Sequence, residues 1–134
     1  MIKWVKKGGI EVKAQIFIRK QILYVRFSGE LDSSVANGLR VKISELIENY
    51  NVKYLVLNCA GLTFMDSSGI GFIIGRYNQL KEKNGMIIMC ELDDLVKRIV
   101  KLSGINRIVN IKNTEEEVNQ FLEGEYEKIH KNAV

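Results

Sequence analysis

Ser67 and Ser68 are the residues of this chain with the most evident chemical capacity. They stand in the run Phe64-Met65-Asp66-Ser67-Ser68-Gly69-Ile70-Gly71. Apolar residues recur after them at Ile70, Ile73, Ile74 and Tyr77, the i, i+3, i+4, i+7 spacing of a helix with one buried face. Small oxygen-bearing residues ahead of such a stretch are N-cap material. The pattern therefore presents two hydroxyls at the positive end of a helix, a place where a phosphate sits or is attached.

Other chemistries lack their parts. A nucleophilic serine needs a base, but the single histidine is His130, and no Gly-x-Ser-x-Gly elbow occurs. One histidine and two separated cysteines, Cys59 and Cys90, lack metal-ligand spacing. Glu115-Glu116-Glu117 falls in the first turn of an expected helix, where negative charge suits the dipole. Gly69-x-Gly71-x-x-x-Gly75, with Glu91 beyond the next strand, is a loose form of a dinucleotide-binding pattern. Ten residues separate the expected strand end at Asn58 from Gly69, however, and the last glycine is one position late. A small nucleotide-binding domain stays as the lesser alternative; no catalytic residue, metal or cofactor is expected.

The elements that must position the serines are legible as an alternation. Ala14–Lys20 and Ile22–Ser28 read as two strands joined by a short Lys20-Gln21 corner. Gly29–Ser34 is a loop ending in capping residues, after which Val35, Leu39, Ile43, Leu46, Ile47 and Tyr50 mark one helix face. Tyr54–Asn58 is a buried strand, followed by the helix from Ser68 to about Lys83, stopped by Asn84-Gly85. Met86–Cys90 is a strand, 93–102 a short helix and Ile108–Ile111 a last strand. Thr114 with Glu117 three residues on is a capping box for a final helix that buries Val118, Phe121 and Leu122, extending toward Ile129. The sum is an α/β fold: a mixed, mostly parallel sheet of about five strands with about four helices.

Composition agrees. The 134 residues contain no proline, 46% are hydrophobic and 27% charged, which fits one domain with a single core. The apolar runs, such as Met86–Cys90, fall far short of the roughly 18 residues of a membrane span. The leader 1–13 has lysines but no apolar segment, so no secretory signal is expected, and the two cysteines read as core thiols of a cytoplasmic protein. Residues 1–26 hold seven Lys/Arg against one Glu, whereas 27–134 hold thirteen against fifteen Asp/Glu. The basic excess thus belongs to the first strands and their leader, and is read as a solvated edge that discourages sheet pairing, not as a nucleic-acid groove.

Asp66-Ser67-Ser68-Gly69-Ile70-Gly71, preceded by Leu62-x-Phe64-Met65 and followed by Ile73-Ile74-Gly75-Arg76-Tyr77, resembles the signature of the anti-sigma factor antagonists of the STAS domain family. The likeness extends roughly from Gln15 to Leu122. It includes Gly29-Glu30-Leu31-Asp32, Val56-Leu57-Asn58, Val96-Lys97-Arg98 and Ser103-Gly104-Ile105. The Gly-Arg-Tyr stretch is more similar to the sporulation type than to the general-stress type.

That resemblance implies a STAS-like domain over 14–124, between a basic extension at 1–13 and a helical tail at 125–134. It implies a binding protein, not an enzyme. The unphosphorylated form of such a protein binds an anti-sigma factor that is also an ATP-dependent serine kinase, and so frees a sigma factor. The kinase phosphorylates the first serine after the aspartate, here Ser67, and a metal-dependent serine phosphatase reverses the change. The expected partner-binding residues are Asp32, Asp66, Ser67, Ser68, Gly69 and Gly71, with Phe72 and Arg76 added because they fall off the apolar stripe. Direct nucleic-acid or membrane binding is not implied. The alternative within the family is a subunit of a stress-sensing or lipid-transport assembly that needs no phosphorylation.

Overall fold

The computed structural model describes residues 5–7, 10–12 and 14–132, with side chains from 14 to 128. Within the basic leader, β1 (Val5–Lys7) and β2 (Ile10–Val12) pair antiparallel as a separate two-stranded sheet. Trp4 lies outside the described residues. β3 (Ala14–Arg19) and β4 (Ile22–Leu31) form the expected antiparallel hairpin, with Ile16 opposite Val25 and Phe17 opposite Tyr24. Lys20 makes the tight corner by taking a left-handed conformation (φ 58°).

Strands and helices then alternate: α1 (Ser33–Asn49), β5 (Tyr54–Met65), α2 (Ser67–Lys81), β6 (Met86–Cys90), α3 (Asp94–Ser103), a 3-10 turn (Ile105–Arg107), β7 (Asn110–Ile111) and α4 (Glu115–Asn132). The main sheet has the order β3-β4-β5-β6-β7, antiparallel only at β3/β4. The mixed five-strand sheet and four helices are those expected. α4 continues unbroken through Gly124, so the expected helical tail is, as far as Asn132, its second half; residues 133–134 lie outside the described residues.

Strand alternation divides the core. Leu23, Val25 and Phe27 of β4, Leu55, Leu57 and Cys59 of β5, and Ile87 and Met89 of β6 pack with the buried faces of α1, α2 and α3. Tyr24, Tyr54, Val56, Ile88 and Cys90 point the other way, onto Val118 and Leu122 of α4. Three helices thus cover one face and α4 alone serves the other. Both cysteines are buried free thiols, on opposite faces.

Two strands outrun their sequence signals. β4 reaches Leu31 and β5 reaches Met65, where loops were expected to begin after Ser28 and after Asn58. The extra pairing runs Ser28↔Gly61, Gly29↔Leu62, Glu30↔Phe64 and Leu31↔Met65, with register shifts on either side of Ser28 and Gly29. It succeeds because Gly61 lets the backbones close up: a Cβ there would lie 2.4 Å from the Phe27 carbonyl oxygen. Ala60, Gly61, Thr63 and Phe64 stay exposed, which is why the segment looks like loop in sequence.

α4 is tied down electrostatically. Arg26 donates to the Glu115 carboxylate from Nη2 (2.6 Å) and Nε (3.1 Å), and Asn58 Nδ2 donates to it at 2.7 Å. Glu91, held at φ 58°, accepts the Glu115 backbone N–H at 3.0 Å. Glu91 therefore serves a helix start, not a ribose. The Thr114 cap forms as expected, accepting from Glu117 N–H, while the Glu117 carboxylate reaches back one residue further than in a standard capping box and accepts from Asn113 N–H.

The Arg26 hydrogen bonds hold the Glu115 carboxyl below its ordinary value. Glu115 thus contributes stability that is full above the unfolded-state value of 4.5 and is lost as the pH falls through the lower folded value. Glu115→Gln is expected to cost about 1–2 kcal/mol at neutral pH. This modest figure allows for solvent screening, since the Arg26 side chain is 42% exposed. Urea midpoints of wild type and variant should differ at pH 7 and converge progressively below pH 4.5.

Candidate functional site

The C-terminal ends of the parallel strands carry the polar residues singled out by sequence, the end at which α/β sheets build their sites. β4 and β5 finish level, with Leu31 opposite Met65 and the Asp66 N–H donating to the Leu31 carbonyl at 3.4 Å. The next residue on each strand is an aspartate that turns the chain into a helix. Asp32 (φ −96°, ψ −177°) accepts at Oδ1 from the N–H groups of Ser34 and Val35, both at 3.1 Å. Asp66 (φ −99°, ψ −170°) accepts from Ser68 N–H at 2.8 Å and Gly69 N–H at 3.3 Å. Asp93, after β6, likewise accepts from Val96 N–H at 2.8 Å and starts α3. Three Asp-capped helix N-termini therefore stand in a row.

The cap is thus Asp66 and not the serines, so Ser67 is released from structural duty. It is the first residue of α2, it is exposed, and its hydroxyl makes no hydrogen bond among the described residues. Ser68 is half-buried, and Gly71 is exposed with open space where a side chain would be. Asp32 and Asp66 are half-buried on the same rim, beside exposed Glu30 and Phe64. The N–H of Val35, helped by the Ser34 hydroxyl, holds the Asp32 carboxyl below its ordinary value, so the rim is anionic at neutral pH.

Three expected rim residues lie inside. Gly69 is buried, and a Cβ on it would fall 2.6 Å from Met65 Cγ and 2.8 Å from the Leu31 carbonyl oxygen. Phe72 is 3% exposed and belongs to the core. Arg76 is 8% exposed, with its guanidinium over the Phe72 ring and Nη1 donating to the Arg40 carbonyl of α1 at 3.1 Å. The buried line of α2 is Gly69, Phe72, Ile73, Arg76 and Leu80, which leaves Ile74 40% exposed. This line has the same 3–4 spacing as the expected stripe but is rotated. A glycine and an arginine hide it from any reading of hydrophobicity. Burial, with Arg40 nearby, lowers the Arg76 pKa, and its Nε finds no hydrogen-bond partner among the described residues. Gln79 completes the fastening of α2 to α1, donating to the Ser44 carbonyl (3.0 Å) and Glu48 (2.9 Å).

The occupancy of the α2 N-terminus bears on ligand chemistry. Asp66 takes the Ser68 and Gly69 N–H groups, and the Ile70 N–H donates to the Asp66 carbonyl at 3.1 Å. Among the four first amides only that of Ser67 is left. A phosphate therefore does not find the open cradle that the sequence implied, and a pyrophosphate would meet a carboxylate already in place. This cap, and not the strand-to-glycine spacing, speaks against the dinucleotide alternative, since β5 ends only two residues before Ser67. Among the described residues no group of three metal-binding side chains comes together, and no helix is long and apolar enough to cross a membrane. A cleft of about 590 Å³, lined by Arg19, Tyr24, Tyr54, Asn119 and Tyr126 among others, opens between the β3–β4 turn and α4, well away from the serines.

Comparison with known proteins gives the same picture. Residues 13–118 match the family described as the STAS domain. An anti-sigma F factor antagonist of Paenibacillus polymyxa is 38% identical over 94 residues, covering 70% of this chain and 80% of that protein. The anti-sigma factor antagonist SpoIIAA in its unphosphorylated form superposes with a TM-score of 0.69 at 27% identity, over 83% of this chain and 98% of its own. The Bacillus cell fate determinant SpoIIAA in the phosphorylated form gives 0.65 at 28% identity, over 81% and 98%.

Two substitutions separate cap, packing and free hydroxyl. Asp66→Ala should lower stability by about 0.5–2 kcal/mol through loss of the cap. Gly69→Ala should cost about 1–3 kcal/mol through overpacking against Leu31 and Met65. Ser67→Ala should stay within about 0.5 kcal/mol of wild type. Denaturant unfolding followed by far-ultraviolet circular dichroism measures all three.

Proposed function

The chain belongs to the STAS domain family, and from that premise we propose that it is an anti-sigma factor antagonist working by partner switching. Its unphosphorylated rim binds an anti-sigma factor with serine kinase activity and thereby frees a sigma factor. The kinase esterifies Ser67, the complex dissociates, and a serine phosphatase of the metal-dependent class restores the hydroxyl. The likeness to an anti-sigma F factor antagonist favours the sporulation type, acting in the cytoplasm. The observation that carries this proposal is the state of Ser67: exposed and unbonded, at a helix start fixed by another residue.

The physical effect follows from the surroundings. Phosphorylation adds about −1.5 to −2 charges. With Asp66 holding two of the first amides, that charge has little to receive it within the chain and faces outward, beside Asp32, Asp66 and Glu30. A partner fitted to the hydroxyl must desolvate the phosphate and bear its repulsion. Losing ~3 kcal/mol of binding weakens association roughly a hundredfold, enough to reverse a competition. Asp32, Asp66, Ser67, Ser68 and Gly71 form the contact surface. Gly69, Phe72 and Arg76 act from beneath it, holding α2 against β4, β5 and α1. A SpoIIAA fold matched in both phosphorylation states supports a switch that spares the scaffold.

With the cognate anti-sigma kinase and ATP, phosphopeptide mapping should place the principal phosphate on Ser67. Ser67→Ala should hold the anti-sigma factor through ATP addition, and Ser67→Asp should bind it at least tenfold more weakly by calorimetry. Unchanged binding by the phosphorylated wild type would sink the proposal.

A further inference from the structure

The sequence Asp32-Ser33-Ser34 repeats Asp66-Ser67-Ser68, and the fold places the two copies side by side. Leu31 and Met65, the residues before each copy, are partners on adjacent parallel strands, whose backbones run roughly 5 Å apart. The two aspartates have nearly the same backbone angles and cap in the same way, each accepting from the second and third amides of its helix. Ser33 and Ser67 are the first residues of α1 and α2. Both are exposed, and neither hydroxyl makes a hydrogen bond among the described residues.

From this duplication we infer that Ser33 is a second phosphorylation site. Asp32 already supplies the cap, so the fold demands no serine at 33. A kinase that docks on this rim and reads an aspartate followed by a serine at a helix start meets that arrangement twice. The inference rests on the preceding proposal that a serine kinase engages the rim. In the transfer, Ser33 Oγ forms a bond to the γ-phosphorus of ATP and the bond to the β–γ bridging oxygen breaks. ADP leaves, and the hydroxyl proton passes to solvent or a base of the kinase. The sites differ beyond the acceptor: Ser34 donates its hydroxyl to Asp32 at 3.0 Å, and buried Val35 stands where α2 has Gly69. Ser67 is therefore the preferred acceptor. A phosphate on either serine makes the same rim more anionic, so the first disfavours the second and the singly modified forms predominate.

The experiment incubates the full chain with ATP and its cognate anti-sigma kinase, and reads each serine by tandem mass spectrometry. Ser67→Ala should acquire phosphate on Ser33, more slowly than wild type acquires it on Ser67, and Ser33→Ala/Ser67→Ala should acquire none on this rim. Ser33→Asp, with Ser67 intact, should weaken anti-sigma binding about tenfold or more. Phosphate on wild-type Ser67 with none on Ser33 in Ser67→Ala overturns this inference alone and leaves Ser67 in its role. Phosphate on Ser33 but never on Ser67 supports it and removes the earlier assignment. Phosphate on neither overturns both. Circular dichroism of each variant distinguishes a lost acceptor from a lost fold.

Discussion

The pairing of the last residues of β4 with the last residues of β5 governs this molecule. Leu31 lies opposite Met65, and the Asp66 amide donates to the Leu31 carbonyl. Two chain segments that leave the sheet at the same level must start their helices at the same level. The closeness rests on two glycines. Gly61 admits the Phe27 carbonyl, and Gly69 admits Leu31 and Met65 beneath the first turn of α2. The fastening of α1 to α2 through Arg76 and Gln79 keeps the two helix starts from drifting apart.

That geometry decides what an added charge does. In many α/β proteins a helix N-terminus receives an anion through open amides. Here aspartate carboxylates occupy the amides at α1, α2 and α3. The helix ends are satisfied from within, and the hydroxyls of Ser33 and Ser67 beside two of them make no hydrogen bond among the described residues. Capping falls to Asp66, and the adjacent Ser67 hydroxyl makes no hydrogen bond among the described residues. A capping serine would have its hydroxyl engaged by the backbone, and a phosphate on it could turn inward to those amides.

Much of this was legible in the sequence, and the rest was obscured for identifiable reasons. Alternation in Leu23, Val25 and Phe27, and helical spacing from Val35 to Ile47, gave element order and fold class because burial of one face imposes a period. The Asp-Ser-Ser run located the rim. Which of its residues caps the helix was not legible, since aspartate and serine are comparable caps and composition cannot say which one bonds. The ends of β4 and β5 were missed because backbone pairing of exposed, glycine-bearing residues leaves no hydrophobic period. The buried face of α2 was turned wrongly because Gly69 and Arg76 lie on it. A glycine contributes by being small and an arginine by its stem and ring contact, and neither registers as apolar. The bonds from Arg26, Asn58 and Glu91 to Glu115 join residues distant in sequence and had no local signal at all.

The two cysteines carry a consequence of their own. They sit on neighbouring strands yet project to opposite faces of the sheet, so no rotation of either side chain joins them in a disulfide. Burial pushes the Cys90 thiol up to about 12 and raises the Cys59 thiol as well, which leaves almost no thiolate for peroxide to attack. The proposed control by an oxygen ester at Ser67 therefore sits in a protein whose two cysteine thiols are poor targets for peroxide.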